Sequence, residues 1–144
     1  MRTITILLLF VVLTACSTAQ PTPTPASPFT VPTPASGQAV VFGRVLSSIT
    51  GQPIYRVRVA FAEVFRNEES AIYVDDAAFT PSAETDTAGR FVLPNLPPKE
   101  YVIVVGDPFG PNDIVRNPDG TPRIWKIEAG QQLDIGDVKV NIGV

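Results

Sequence analysis

The chain has no histidine and a single cysteine among its 144 residues. Without histidine it lacks the side chain that most often acts as a general base near neutral pH, and also the commonest transition-metal ligand. A lone cysteine, Cys16, cannot close an internal disulfide. Charged residues make up only 17% and leave a net charge of −3, so there is no basic surplus for nucleic acid. The apolar run from Ile4 to Leu13 falls short of the roughly 20 residues that a membrane-spanning helix needs. A glycine-rich phosphate loop is also missing: "GDPFGP" at Gly106 has the wrong context and no helical pattern after it. Serine nucleophiles have no histidine to activate them, which leaves carboxylates as the only candidates for catalysis.

What is present is unevenly distributed. Of 15 prolines, Pro21, Pro23, Pro25, Pro28, Pro32 and Pro34 crowd into Ser17–Gln38 among Thr, Ser and Ala. Residues 1–15 read as an export signal, with Arg2 before the apolar run. "LTAC", ending at Cys16, has the form of a bacterial lipobox, in which the cysteine sulfur receives a diacylglyceryl group and becomes the mature N-terminus. Each buried methylene contributes about 0.8 kcal/mol and stable anchoring takes two chains, which a diacylated cysteine supplies. Cleavage after Ala19 would instead release a soluble protein, and an uncleaved segment would be a third outcome. Residues 16–38 are then a disordered Pro/Thr-rich linker. In polyproline II form, at about 3.1 Å per residue, it can hold a domain on the order of 60 Å from a membrane.

Residues 39–144 have a different character. "AVVFGRVL" is rich in β-branched and aromatic residues, and in "IYRVRVAFAEVF" Tyr55, Val57, Val59 and Phe61 alternate with Arg56, Arg58, Ala60 and Ala62. Period 2 marks strands with one face buried. Further strands are expected in "RFVL", "YVIVV", "RIWKIEA" and "DVKVNI", with another near Ala71–Phe79. Turns fall at Thr85–Gly89, Leu96–Glu100, Asn117–Gly120 and Glu128–Gln132. No long stretch has helical spacing. The expected fold is all-β: an antiparallel Greek-key β-sandwich of about seven strands.

Within it, Thr85, Asp86, Gly89, Arg90 and Phe91, followed by Leu96, Pro97, Pro98 and Tyr101, form the most specific pattern. On these residues, and on "GRVLSSITGQPIYRVRV" and "IEAGQQLDIGDVKV", the domain resembles the carboxypeptidase regulatory-like family. That resemblance implies a prealbumin/transthyretin-like sandwich, also grouped with carbohydrate-binding-like folds. The chain departs from the family at Lys99 and in a long insertion before Thr85. Read physically, Asp86 accepts amide hydrogen bonds in its turn, Gly89 takes positive φ, Phe91 enters the core, and Tyr101 forms a tyrosine corner. These are folding signals and not a site.

The functional candidates are few. Tyr73 and Phe109 are the aromatics expected at the surface, where they can stack on a sugar ring or meet a protein. Tyr55, sharing a face with Val57, and Trp125, sharing one with Ile127, are expected in the core. Arg44, Arg56 and Arg58 should lie on the wet side, as a basic stripe for an anionic ligand or, by preference, paired with acids. Asp75, Asp76, Glu63 and Glu84 would be the carboxylates of a small glycoside hydrolase if they converged in a cleft. Asp107, Asn112 and Asp113, or Asp75 and Asp76, could ligate calcium, but neither set has a recognised loop spacing, so no metal or other cofactor is expected. An internal isopeptide bond to Asn141 is excluded because the first strand offers Arg44 and no lysine.

The expectation is a non-enzymatic, lipid-anchored module on the extracytoplasmic side of a cell or outer membrane. Its partners would be membrane lipid through Cys16 and a polysaccharide or surface protein, with no nucleic acid. A small hydrolase and a passive envelope spacer are the alternatives. Expressed with labelled palmitate, the wild type should take up label in a globomycin-sensitive way and Cys16→Ser should not; unlabelled wild type in the medium would overturn the anchor.

Overall fold

A computed structural model describes residues 29–143; the signal segment and Cys16 lie outside them. The described residues contain nine strands and no helix: β1 (Ala39–Ser47), β2 (Arg58–Arg66), β3 (Ala71–Val74), β4 (Ser82–Glu84), β5 (Arg90–Leu96), β6 (Glu100–Gly106), β7 (Asn112–Ile114), β8 (Ile124–Lys126) and β9 (Gln132–Val140). They form a three-stranded sheet, β5-β1-β9, and a six-stranded sheet with β3-β2-β6-β7 as its main order, where β4 also pairs with β2 and β8 with β6. There are more strands than expected because the stretch after Glu63 folds back twice on β2, and the chain after Gly106 twice on β6.

One expectation needs correction: the sandwich is not wholly antiparallel. β1 and β9, the first and last strands, pair in parallel from Val40↔Gln132 to Ser47↔Val140. Parallel neighbours need a long crossover, and here the seven intervening strands supply it.

The two sheets meet on Val41, Val45, Phe91, Leu93 and Val138 from one side and Val59, Phe61, Tyr101, Ile103 and Val105 from the other, all buried. Phe61 is the hinge of this contact, with its ring centre 6.3 Å from Phe91 across the gap and 6.1 Å from Tyr101 edge-on. Such aromatic pairs contribute about 0.5–1.5 kcal/mol beyond their area. Trp125 and Ile127 are also buried, as their shared face predicted.

Tyr55 is not. It is 56% exposed, because Arg56 has φ 54 and breaks the alternation; Ile54 and Val57 are the residues that turn inward. A buried threonine holds this kink. The Thr85 hydroxyl accepts from Val57 N–H at 3.0 Å and donates to Ile54 C=O at 2.7 Å. Its main chain adds Thr85 N–H to Val57 C=O at 3.0 Å and accepts from Arg56 N–H at 3.1 Å.

The motif after Thr85 folds as its chemistry required. Asp86 accepts from Ala88 N–H and Arg90 N–H, each at 2.9 Å, and from the Arg90 guanidinium. Burial pushes this carboxyl up, but the Arg90 side chain and the two amides outweigh it and hold Asp86 below its usual range. Gly89 sits at φ 73, and a Cβ there would lie 2.5 Å from Val45 O, so the turn both bends and touches β1 as only glycine can.

Before β1, the stretch expected to end a free linker is held against the three-stranded sheet from Phe29 onward. Phe29, the only aromatic residue among those prolines, lies 6.4 Å from the Phe42 ring and 4.8 Å beneath the Arg90 guanidinium. Gln132 Nε2 donates to Pro32 O at 2.9 Å.

Tyr101 closes the core, its hydroxyl donating to Pro97 O at 3.0 Å. Burial, with the Glu63 charge adding to it, raises its pKa from 10.0 to about 12. An unfolded tyrosine releases its proton first, so this contribution is intact below pH 10 and is lost as pH rises towards 12. In alkaline denaturation series, Tyr101→Phe should lose about 1 kcal/mol at neutral pH and show a shallower decline above pH 10 than wild type.

Candidate functional site

Strand alternation sends Val59 and Phe61 into the core and therefore sends Ala60, Ala62 and Val64 to the outer face of the six-stranded sheet. Register continues that face sideways. Tyr73 lies opposite Val64, Val102 opposite Ala62, and Ile124 opposite Val102. A row of apolar side chains thus crosses four strands, with the two alanines keeping its middle low. "YVIVV" carries the matching signal: a run apolar at every position belongs to a strand covered on both faces.

The cover is incomplete, and a groove of about 600 Å³ remains between β3 and the β7–β8 connection. Val64 and Val102 form its floor, Tyr73 and Ala71 one wall, and Ile124, Pro122, Thr121 and Asn117 the other. Tyr73 is 38% exposed. The opposite wall is a braced turn: Gly120 N–H bonds Asn117 O at 2.9 Å, and Asn117 Nδ2 donates to Thr121 Oγ1 at 3.1 Å. Thr121 in turn donates to Asp119 at 2.6 Å, and this hydrogen bond holds the Asp119 carboxyl below its usual range. Arg123 also lines the groove, its guanidinium 4.8 Å from the centre of the Trp125 ring. None of the lining residues is acidic. Chemically the groove offers an aromatic face, an apolar floor, hydroxyl and amide groups, and one cation.

The other candidates lie elsewhere. Phe109 is 90% exposed in the β6–β7 loop, beyond the end of β6 opposite to the one that pairs with β8. Arg44 is on the three-stranded sheet and makes a two-pronged ion pair with Asp137, at 2.8 and 2.6 Å. Those hydrogen bonds raise the Arg44 pKa and lower that of Asp137. Arg58 grips Asp75 at 3.0 and 2.8 Å, and Arg56 lies 3.5 Å from Glu84. The three arginines therefore pair with acids, as preferred, and the structure does not unite them in a stripe.

The carboxylates are each engaged by a partner. Asp75 and Glu84 are held by those arginines. Glu63 receives both bonds of Lys99 Nζ at 2.8 Å, while Asp76 accepts the Ala78 and Phe79 amides. Glu63 and Asp76 line one hollow of about 320 Å³ and each is already occupied in this way. Asp107 accepts Phe109 N–H and the Asn112 amide donates to Asp107 O and Gly110 O, bracing the β6–β7 loop, while Asp113 ties β7 to the segment after β9 by accepting Asn141 N–H. Among the described residues no three His, Cys, Asp or Glu side chains are grouped to hold a metal ion.

Of the residues that line this groove, the sequence had singled out Tyr73 but not Val64, Val102, Asn117, Thr121 or Arg123. Only the doubly covered strands hinted at the first two; the turn residues reach the groove because β8 pairs with β6, which no local pattern reveals.

No family model matches the chain, including any for the carboxypeptidase regulatory-like domain, and no curated protein matches it. Among solved structures it is similar to a proposed carbohydrate-binding protein from Pseudomonas aeruginosa, at 17% identity over 75% of this chain and 92% of the other, with a TM-score of 0.46. A DUF3823 family protein from Bacteroides uniformis is 18% identical over 70% of this chain and 43% of its own, with a TM-score of 0.41. The dioxygenase domain of a dioxygenase and carbohydrate-binding protein fusion from Streptomyces sp. SirexAA-E is 18% identical over 83% and 92%, with a TM-score of 0.42. At such values the likeness carries no functional weight, and the reading rests on the geometry of the groove.

The ion pairs differ in burial. Arg58 and Asp75 are both largely covered, whereas Arg44 and Asp137 are open to water. In urea denaturation, Arg58→Ala should cost on the order of 1–3 kcal/mol by leaving Asp75 partly buried and unpaired, whereas Arg44→Ala should leave the midpoint near wild type.

Proposed function

We propose that this protein is a surface-anchored, non-catalytic binding module whose groove receives a carbohydrate chain. One observation carries the reading: a single concavity joins a partly exposed tyrosine to a braced polar turn and a cation, with no carboxylate in its lining. Sugars present apolar C–H faces and hydroxyl edges, so a site for them needs a flat aromatic surface beside fixed donors and acceptors. Tyr73 provides the first, and Asn117, Thr121 and Arg123 the second. A rigid wall reduces the entropy lost when a flexible glycan binds.

The absence of carboxylates from the lining favours binding over hydrolysis, because hydrolysis needs a pair of acids flanking the bond. Lipid attachment at Cys16 belongs to the same proposal. It rests on the sequence alone, and would place the groove outside the cytoplasm at the end of the proline-rich spacer.

The test is a glycan array, followed by calorimetry on any glycan retained. Wild type should bind a defined subset, and Tyr73→Ala should weaken that binding by roughly tenfold or more, equivalent to about 1.4 kcal/mol, without loss of fold. Failure to bind any glycan, or retention of full affinity by Tyr73→Ala, would overturn the reading. Release of shortened sugars from a bound polysaccharide would revive the hydrolase.

A further inference from the structure

The edges of the two sheets are protected unequally. β5 carries Pro94 and has Asn95 at φ 58, while β9 carries Asp134, Asp137 and Lys139 and bends at Gly136, with φ 69. These are the charges, prolines and kinks that stop an edge from pairing with another chain. β4, β7 and β8 are only three residues each. β3 has none of these charges or kinks. Ala71–Val74, "AIYV", is uncharged and exposed at all four residues. Ile72 and the residue opposite it, Phe65, are 60% and 49% exposed.

The phase of the ladder identifies which backbone groups face outward. Asn67 N–H bonds Ser70 O at 3.0 Å, closing a two-residue turn over Glu68 and Glu69. The Asn67 side chain fixes that turn by accepting from Glu69 N–H and Ser70 N–H. From this closed pair, hydrogen-bonded partners recur at every second position, namely Phe65↔Ile72 and Glu63↔Val74. Ala71 and Tyr73 consequently direct their N–H and C=O groups away from β2.

We infer that β3 is a docking edge for an extended segment of a partner protein, which adds as a further strand, and that this segment is basic at its flanks. The backbone of Ala71 and Tyr73 would supply the ladder, and Ile72 with Phe65 an apolar contact for alternate side chains. The charge preference comes from the surroundings. Glu68 and Glu69 precede the strand and Asp75 and Asp76 follow it; Arg58 neutralises Asp75, and among the described residues Glu68, Glu69 and Asp76 meet no cation. A second copy of this chain fits poorly for the same reason. Antiparallel pairing would set Glu69 beside Asp75 of the other molecule, and parallel pairing would set like residues together. Although Ala71 also borders the groove, the ladder uses the outward main chain of Ala71 and Tyr73 whereas sugar stacking would use the Tyr73 ring, so the peptide and glycan tests fail separately.

The test uses the full-length chain in detergent with labelled synthetic peptides of alternating Val and Thr, followed by fluorescence anisotropy and by the amide shifts of residues 71–74. A peptide flanked by lysine pairs should bind, and versions flanked by glutamates or N-methylated at alternate amides should bind roughly tenfold more weakly or not at all. Ala71→Pro removes one outward N–H without taking a bond from β2, and should abolish binding while the melting temperature stays near wild type. Should that variant unfold, the exposed double variant Glu68→Lys/Glu69→Lys serves instead, and should lose the preference for the basic peptide. No binding by any peptide, equal binding of acidic and basic peptides, or self-association that protects the β3 amides would overturn the inference.

Discussion

The six-stranded sheet takes its phase from one buried threonine. Thr85 bonds both sides of the kink at Arg56, using its hydroxyl twice and its main chain twice. An unpaired polar group in this position would cost about 1–3 kcal/mol, so the kink and its clamp form or fail together. Because the chain turns over at Arg56, Val57, Val59 and Phe61 point inward and Ala60, Ala62 and Val64 outward. The first set builds the core against Phe91 and Tyr101; the second builds the floor of the groove.

The two outer faces of the sandwich are treated differently. On the three-stranded sheet, Phe29 packs on Phe42 under Arg90, and the chain leading into β1 runs along the surface. On the six-stranded sheet, two hairpins fold towards each other without meeting, and the gap between them is the groove. The chain leading into β1 and the opening of the groove therefore lie on opposite faces.

Charge in this protein works mainly locally. Arg44, Arg56, Arg58, Arg66, Arg90 and Lys99 each meet a carboxylate, and most remaining acids cap turns. Ion pairs at water-exposed positions add little stability, but they remove free cations and free acids from the surface one by one. Among the described residues, Glu68 and Glu69 ahead of β3 and Arg123 in the groove are among the charges that lie outside these pairs.

The amino-acid order alone determined much of this: the all-β class, most strand positions, the Asp86–Gly89 turn, the tyrosine corner and the burial of Trp125. Each depends on neighbours within a few residues, where alternation and turn chemistry act directly. The same short range explains the failures. Tyr55 follows the alternation of Val57 in sequence, yet a hydrogen bond from Thr85, far along the chain, reverses its side. Tertiary structure alone decided the parallel pairing of β1 with β9, the docking of Phe29 and the meeting of Tyr73 with Asn117, Thr121 and Arg123. Those depend on which strands become neighbours, and that is set by burying apolar faces across the whole domain, a competition that no local stretch of sequence records.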